Sequence, residues 1–336
     1  MKLSKTIANL ALALGICLSA TACKTNFLFA ADVQDWTAPI LAGQRFFERA
    51  LELAIQSGDW VTVGYVAMQS GSDQLTAGRS LDALSGWLEG QLAFLRRKGN
   101  DDAYEITLAG VYNPILHLQG RTGSWDGIDA FDTADFSVSA YEQRHEGQGF
   151  HLAWSTASRL RAAWLVQDRT AYARVAPQVS TIETFVPSHS KVPEAAMFAA
   201  LMRVALAEDV PTEADGHLAE ARRLLARLQK WSEACPENIA ARARLVEAEL
   251  ARYEGEFGKS VALYEAAQAA ARQAGCPNVE AVATEAHGRM WLARGRQGLA
   301  NELLREAAWL YKRWGATAKV AALSGSLPDA FAAHSA

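Results

Sequence analysis

The chain has 336 residues, of which 50% are hydrophobic and 21% are charged, and it contains only 9 prolines. This composition is typical of a folded protein and excludes a chain that is disordered throughout. The formal net charge of -4 provides no overall positive field for phosphate backbones, so we expect no nucleic-acid partner.

The amino-terminal segment, residues 1–23, supports two interpretations. Lys2 and Lys5 precede an apolar run from Ile7 to Ala22, and small residues lead to Cys23, which is the pattern of a signal peptide with a lipid-anchored cysteine. Leucines spaced four apart instead predict an ordinary amphipathic helix: Leu10, Leu14 and Leu18. The first interpretation predicts an exported, lipid-anchored protein and the second a cytoplasmic one.

The remaining cysteines, and the apolar content of the rest of the chain, point to an ordinary globular interior. Cys17, Cys235 and Cys276 form no CxxC pair, and we predict buried, inert thiols for them. Beyond the amino terminus no stretch reaches the roughly 18 uninterrupted apolar residues of a membrane-spanning helix. The sequence therefore predicts no transmembrane span.

Residues 24–208 show apolar positions at helical spacing with short polar interruptions. We predict a helical-repeat region here, with a loop near 119–136, where glycines and aspartates cluster, and a proline-marked break near 177–193. The predicted helices cover 40–57, 60–74, 81–97, 104–118, 140–166 and 194–208.

Residues 209–325 contain an internal repeat with a period of 40. The matching pairs are Gly255 and Gly295, Gly258 and Gly298, Leu263 and Leu303, Ala267 and Ala307, and Gly275 and Gly315. Two glycines suit the turn of a helical hairpin, a small alanine lets its helices approach closely, and a third glycine suits a left-handed helix end. A single hairpin cannot bury its apolar face, so we predict an all-α, right-handed tetratricopeptide-like solenoid. Residues 326–336 are predicted to be a flexible tail.

Several segments in these repeats and before them resemble one family. They are residues 244–251, 293–295, 311–316 and 318–320, with Trp36, Pro39, Gly58-Asp59, Gly64-Tyr65 and Leu118-Gln119-Gly120 in the same order. The family is the tetratricopeptide-like helical region of multidomain signalling proteins. These proteins join a serine/threonine kinase-like domain, an AAA-type ATPase, a GAF domain and a sensor histidine kinase. The resemblance covers about residues 24 to 325.

The resemblance implies a protein-protein interaction scaffold or regulatory connector, with a kinase or ATPase module as a candidate partner. The family's catalytic modules have no counterpart in this sequence, so the resemblance transfers no active-site residue and implies no enzyme activity. We predict no catalytic, cofactor-binding or metal-binding residues. The segment before Trp36 is also similar to helices of the family, which favours the cytoplasmic interpretation. An exported lipoprotein adaptor that organises an envelope complex is the alternative.

Three short motifs could carry chemistry, and each has a simpler explanation. Gly258-Lys259-Ser260 lacks the earlier glycine and the strand of a phosphate loop, so we predict a turn with an exposed lysine. Ser188 and Lys191 have the spacing of an acyl-transfer pair but no companion motif. His145 and His151 are six residues apart, whereas ligands on one helix face are three or four apart. We therefore predict chance spacing for Ser188 and Lys191, and a surface pair or a loop-packed pair, rather than a zinc site, for His145 and His151.

Carboxylates and tryptophans complete the candidates. Asp101 with Asp102, and Glu247 with Glu249, are predicted to lie on solvated faces. Most tryptophans are predicted to be core residues, and any on a concave surface would anchor a partner helix. The tryptophans concerned are Trp87, Trp154, Trp164, Trp231, Trp291, Trp309 and Trp314.

Overall fold

The computed structural model describes residues 21–128 and 130–331, and this part of the chain is helical with no β-strand. The prediction of an all-α fold is therefore confirmed. Residues 21–32 form α1. The helices that follow are α2 Gln44–Ser57, α3 Trp60–Thr76, α4 Leu81–Lys98, α5 Asp101–Thr107, α6 Asn113–Leu118, α7 Val138–Arg144, α8 Gly149–Val166, α9 Arg169–Val175, α10 Val179–Phe185, α11 Lys191–Asp209, α12 Ala214–Ala234, α13 Pro236–Tyr253, α14 Phe257–Gln273, α15 Pro277–Ala293, α16 Gln297–Trp314, α17 Thr317–Ser326 and α18 Pro328–Phe331.

The two 40-residue repeats fold as the hairpins α13–α14 and α15–α16. Four glycines follow the ends of these helices with positive φ: Gly255 at 79°, Gly275 at 68°, Gly295 at 69° and Gly315 at 102°. Glycine suits these positions because an L side chain is strained in the left-handed region. Ala267 and Ala307 are fully buried. One detail of the prediction was wrong, because Gly258 and Gly298 lie in the first turns of α14 and α16 rather than in the hairpin turns.

The hairpins pack in adjacent pairs, but the interior is shared between the two halves of the chain. Helices α3, α11 and α15 are buried on nearly every side. The Asn278 amide donates to the carbonyls of Leu75 and Thr76, and the Asn238 amide donates to those of Asp35 and Ala38. The N-terminal ends of α13 and α15 are therefore covered by earlier segments of the chain.

Three predicted boundaries differ from the structure. The helix expected over 140–166 is broken between α7 and α8, where Gly147 takes a φ of 78°. The proline-marked break is shorter than expected, because α10 lies inside it and α11 begins at Lys191. Pro193 is tolerated there because the first turn of a helix needs no backbone donor. The segment 326–331, predicted as the start of a flexible tail, contains α18, whose Ala330 is buried.

The helix expected over 104–118 is interrupted by a π-helical turn, Leu108–Tyr112, between α5 and α6. Pro114 has no N–H to donate to the carbonyl of Gly110, four residues earlier, and its ring would crowd that carbonyl. The Ser158 hydroxyl donates to the Gly110 oxygen instead, at 2.9 Å. A π turn inside an α-helix relieves such a conflict by adding one residue to the turn.

The interpretations of residues 1–20, including Cys17, lie outside the described residues. Cys23, the residue on which the lipid-anchor hypothesis depends, is described. It lies in α1, fully buried, and its sulfur is 3.7 Å from Asp59 Oδ2.

Candidate functional site

The phosphate-loop-like motif forms the start of a helix. Lys259 is exposed and pairs with Glu256 at 2.8 Å, whereas Ser260 is buried and donates to the Ala248 carbonyl at 3.2 Å. The lysine and the serine hydroxyl therefore face different surroundings and form no common cradle for a phosphate.

Ser188 and Lys191 are close in sequence but are bonded in different directions. The Ser188 hydroxyl donates to Asp32, and the Lys191 ammonium lies over the face of Trp154 in the core. Burial lowers the pKa of Lys191 well below its ordinary value, although the charge of Asp73 opposes this. No contact brings the lysine to the Ser188 hydroxyl, so the two residues are not arranged as base and nucleophile.

The neighbouring Ser190 leads into a buried polar network between α3 and α11. Asp73 accepts from the Ser190 hydroxyl at 2.6 Å and from the Gln69 amide at 2.9 Å. Asp35 lies beside Asp73. Burial, and next the charge of Asp73, raise the pKa of Asp35 to about 10, so this carboxyl is neutral near pH 7. Burial also raises the pKa of Asp73, to about 7, against the bonds that stabilise its charge.

A cavity of about 10 Å³ adjoins this network, lined by Asp35, Ser190, Asn238 and Arg242 among others. Such a volume is close to the minimum for one water molecule. An organic substrate does not fit, and we therefore assign the network a structural role. Perturbed pKa values cluster in active sites, but buried ion networks produce them as well.

A buried ion pair continues the network. Arg161 in α8 donates to Glu194 in α11 with two nitrogens, at 3.2 and 2.5 Å, and both residues are buried. Arg242 in α13 donates to the carbonyls of Asn238 and Thr76. None of these contacts was predicted, because arginine and glutamate are seldom fully buried unless they are paired.

His145 and His151 lie together as a packed pair, which is one of the two arrangements predicted from the sequence. Their rings stack with centroids 4.2 Å apart and planes 12° apart. Each ring also contacts a carboxylate of α5: Glu105 at 3.1 Å from His145, and Asp102 at 2.6 Å from His151. Lone pairs lie in the ring planes, so two parallel rings cannot converge on one ion. Among residues 21–128 and 130–331, no three His, Cys, Asp or Glu side chains are arranged to hold a metal.

Some of the carboxylates and tryptophans singled out in the sequence are exposed, and others are buried in the core. Asp101 and Asp102 are exposed as predicted, but Glu249 is buried and accepts from Tyr264 and Arg252, so its assignment to a solvated face was wrong. Trp154, Trp164 and Trp314 are core residues. Trp309 is 55% exposed on α16, with the Arg313 guanidinium 4.6 Å from its ring. Trp87, Trp231 and Trp291 are half-buried.

His287 is buried in the C-terminal hairpins and gives a pH-dependent prediction. Its ring stacks on Tyr264 at 5.0 Å, and Trp291 Nε1 donates to its Nε2 at 3.0 Å. Burial lowers the pKa of His287 to about 4. The unfolded chain, with a pKa near 6.5, takes up this proton first as the pH falls.

We therefore expect the stability due to neutral His287 to be complete above pH 6.5 and to decline between pH 6.5 and 4, by up to about 3 kcal/mol. Urea denaturation at pH 7, 5.5 and 4.5 measures this decline. In His287→Gln the amide oxygen can still accept from Trp291 but does not titrate, so the decline should be smaller. An equal decline in both proteins would contradict the assignment.

Two features of the surface could bind a partner. The first is a set of exposed apolar side chains near the amino-terminal end, which we call the N-terminal apolar surface: Leu28 (53% exposed), Phe29 (38%), Val33 (44%) and Leu41 (44%). Val33 directly follows α1, and its backbone N–H donates to the carbonyl of Phe29 in the last turn of α1. The Phe29 ring contacts the Phe46 ring edge-on at 4.8 Å. The described part of the chain leaves these four apolar side chains partly exposed.

The second feature is a cleft of about 710 Å³, the α4–π cleft, between α4, the π-helical turn and the loop 133–136. This cleft was not predicted from the sequence, because a continuous helix was expected over 104–118. The signal that could have found it is Pro114 within an otherwise helical pattern. The residues that line the cleft are Glu89, Leu92, Ala93, Arg96, Arg97, Tyr104, Leu108, Tyr112, Asn113, Leu116 and Thr133 to Phe136.

The described part of the chain contains no helix with the length and apolar character needed to span a membrane. In comparisons with protein-family models, with curated proteins and with solved structures, the chain has no match.

Proposed function

We propose that this protein is a non-catalytic protein-binding module that docks a helical element of a partner on its N-terminal apolar surface. The observation that carries the proposal is the exposure of Phe29 and Val33 at the C-terminal end of α1. In stacked helical arrays the apolar face of one pair is covered by its neighbour, so an uncovered face at one end is suited to a further helix. Exposed apolar surface of this kind is typical of interaction sites.

The resemblance to the helical region of signalling proteins extends the proposal to a regulatory connector. In that role the partner is a kinase or ATPase module, and the chain acts in the cytoplasm. Aromatic anchors such as Phe29 would contribute affinity, and charged residues around them would contribute selectivity.

The alternative, an exported adaptor anchored by a lipid on Cys23, requires the cysteine sulfur to be accessible. Burial of Cys23 against α2 and α3 supports the connector instead, because a thioether-linked lipid has no space at a fully buried sulfur. Intact mass of the protein from fractionated native cells separates the two. A species that retains the residues before Cys23 supports the connector, and a membrane-bound species that begins at a lipidated Cys23 overturns it.

Site-specific photo-crosslinking tests the docking surface directly. A benzoylphenylalanine at position 29 or 33 in native cells should yield a discrete crosslinked protein. The matched control is Leu299 on α16, which is 48% exposed and lies on another surface. Replacing Val33 with Glu should remove the crosslink from position 29 without loss of fold by circular dichroism. Equal crosslinking at positions 29, 33 and 299, or none at all, would refute the proposed surface.

A further inference from the structure

We propose that the α4–π cleft is a binding site for a small amphipathic carboxylate, that is, an apolar body with one carboxylate group. This site shares no residue with the N-terminal apolar surface, so ligand binding in the cleft is independent of the proposed function. The cleft, at about 710 Å³, falls within the ordinary size of small-molecule sites.

The walls supply apolar contacts. Apolar residues from three segments line the cleft: Leu92 and Ala93 on α4, Leu108 and Leu116 from the π-helical turn and α6, and Phe136 on the loop. Leu92, Leu108 and Leu116 are buried, so these walls belong to the core and do not depend on mobile surface side chains. An aliphatic chain or an aromatic ring would be removed from water here, which is favourable in proportion to the area buried.

The α4 wall also supplies positive charge. Arg96 and Arg97 line the cleft and are exposed, and among the described residues no carboxylate lies within ion-pair distance of either guanidinium. Arg96 lies 5.9 Å from the ring centre of Tyr104, which also lines the cleft. A guanidinium presents paired donors that match the two oxygens of a carboxylate.

The acidic residues of the lining leave this charge available. Glu89 accepts from the Tyr112 hydroxyl at 2.9 Å and pairs with Arg121 at 3.4 Å, so it is occupied by partners of its own. The other acidic residue is Asp135, exposed on the loop. Because Glu89 is paired with Arg121, the two arginines of the lining face only one further carboxylate, and an anionic ligand is therefore favoured over a cationic one.

A third observation points to a ligand from the interior. Asn113, directly after the π-helical turn, lines the cleft and is only 1% exposed, yet its side-chain nitrogen has no hydrogen-bond partner in the described part of the chain. Burying an amide N–H without a partner is costly. If the Asn113 amide turns toward the cleft, a carboxylate or carbonyl oxygen bound there satisfies this donor.

Isothermal titration calorimetry of the full chain tests the proposal. Decanoate and 4-phenylbutyrate are the probes, and decyltrimethylammonium, with an apolar chain and the opposite charge, is the control ligand. We expect the carboxylates to bind at least about tenfold more tightly than the cation. Tighter binding of decanoate identifies an aliphatic body and tighter binding of phenylbutyrate an aromatic one, and either result supports the site.

Substitutions in the α4–π cleft test whether the carboxylates bind there. Replacing both Arg96 and Arg97 with Gln should weaken carboxylate binding about tenfold or more. The matched control replaces Arg294 and Arg296 with Gln, a pair of exposed arginines in a distant hairpin turn, and should leave binding unchanged. Ala93→Trp, which fills the cleft from the exposed side of α4, should abolish binding, and Asn113→Leu should weaken it.

Absence of binding to either carboxylate at millimolar concentration would overturn the proposal. Equal affinity for the cation, or equal losses in the two arginine double variants, would overturn it as well. Circular dichroism shows whether each variant is folded, and Arg97→Gln alone provides a mild surface change that still reports on the cleft.

Discussion

Replacing Glu194 with Gln is expected to lower the free energy of unfolding by about 3 to 5 kcal/mol, because it leaves a buried charge without its partner. Burial acts to raise the pKa of Glu194, but the charge of Arg161 and the hydrogen bonds from it lower the pKa overall. The carboxylate is thus ionised in the folded protein. Its loss would leave the Arg161 guanidinium uncompensated in the centre of the molecule, between α8 and α11.

Urea denaturation at pH 7 measures this loss, and two further variants define its cause. Replacing Arg161 and Glu194 together with Met should recover most of the stability, because the Arg161 guanidinium is then not left buried without its partner. The control is Glu220→Gln, which removes a two-bond pair with the exposed Arg223. We expect less than about 1 kcal/mol there. If Glu194→Gln and Glu220→Gln lower the free energy of unfolding equally, the buried ion pair contributes no more to stability than the exposed one.

Glu285→Gln is expected to cost a similar 3 to 5 kcal/mol, because Glu285 joins several helices through three partners. Its oxygens accept from Lys319 at 2.9 Å, from Tyr311 at 2.8 Å and from Arg289 at 2.8 Å. Lys319 is 2% exposed and also donates to the Leu165 carbonyl in α8. Lys319→Met should cost less than Glu285→Gln, because Glu285 then keeps Arg289 and Tyr311.

The stability contributed by Glu285 depends on pH. Burial acts to raise the pKa of Glu285, but the charges of Lys319 and Arg289 bring it down to about 2. The unfolded value is near 4.3, so the stability that ionised Glu285 contributes is complete above that pH and is lost as the pH falls toward 2, by about 3 kcal/mol. Denaturant titrations from pH 5 to 2.5 should show a shallower decline in Glu285→Gln. An unchanged decline would contradict the assignment.

Glycine and alanine in the C-terminal repeat made the hairpins predictable. Gly275 and Gly315 end helices where only a left-handed residue fits, and Ala267 and Ala307 pack at close crossings. These requirements are local, so they are visible in a 40-residue period. The π-helical turn before Pro114 was missed, because the apolar spacing over 104–118 was taken as one continuous helix.

The surfaces that could bind a partner were not predictable in the same way. Arg96 and Arg97 appear in the sequence as an ordinary charged run at a helix end, and Asn113 as one polar residue in an apolar helix. Only the packing of α4 against the π-helical turn and the loop 133–136 places them around one cleft. Likewise, the exposure of Phe29 and Val33 depends on which helices cover α1.

By itself, the sequence determined that this protein is all-helical, that its C-terminal third repeats as hairpins, and the approximate bounds of α2, α3 and α4. Those features follow from the spacing of apolar residues and from glycines at positions that need a left-handed backbone. Both act within a few turns of the chain. The tertiary structure decided which charges are buried. Arg161 with Glu194, and Lys319 with Glu285, are paired in the core. Burial of a charge depends on partners from distant helices, and no local pattern encodes that proximity.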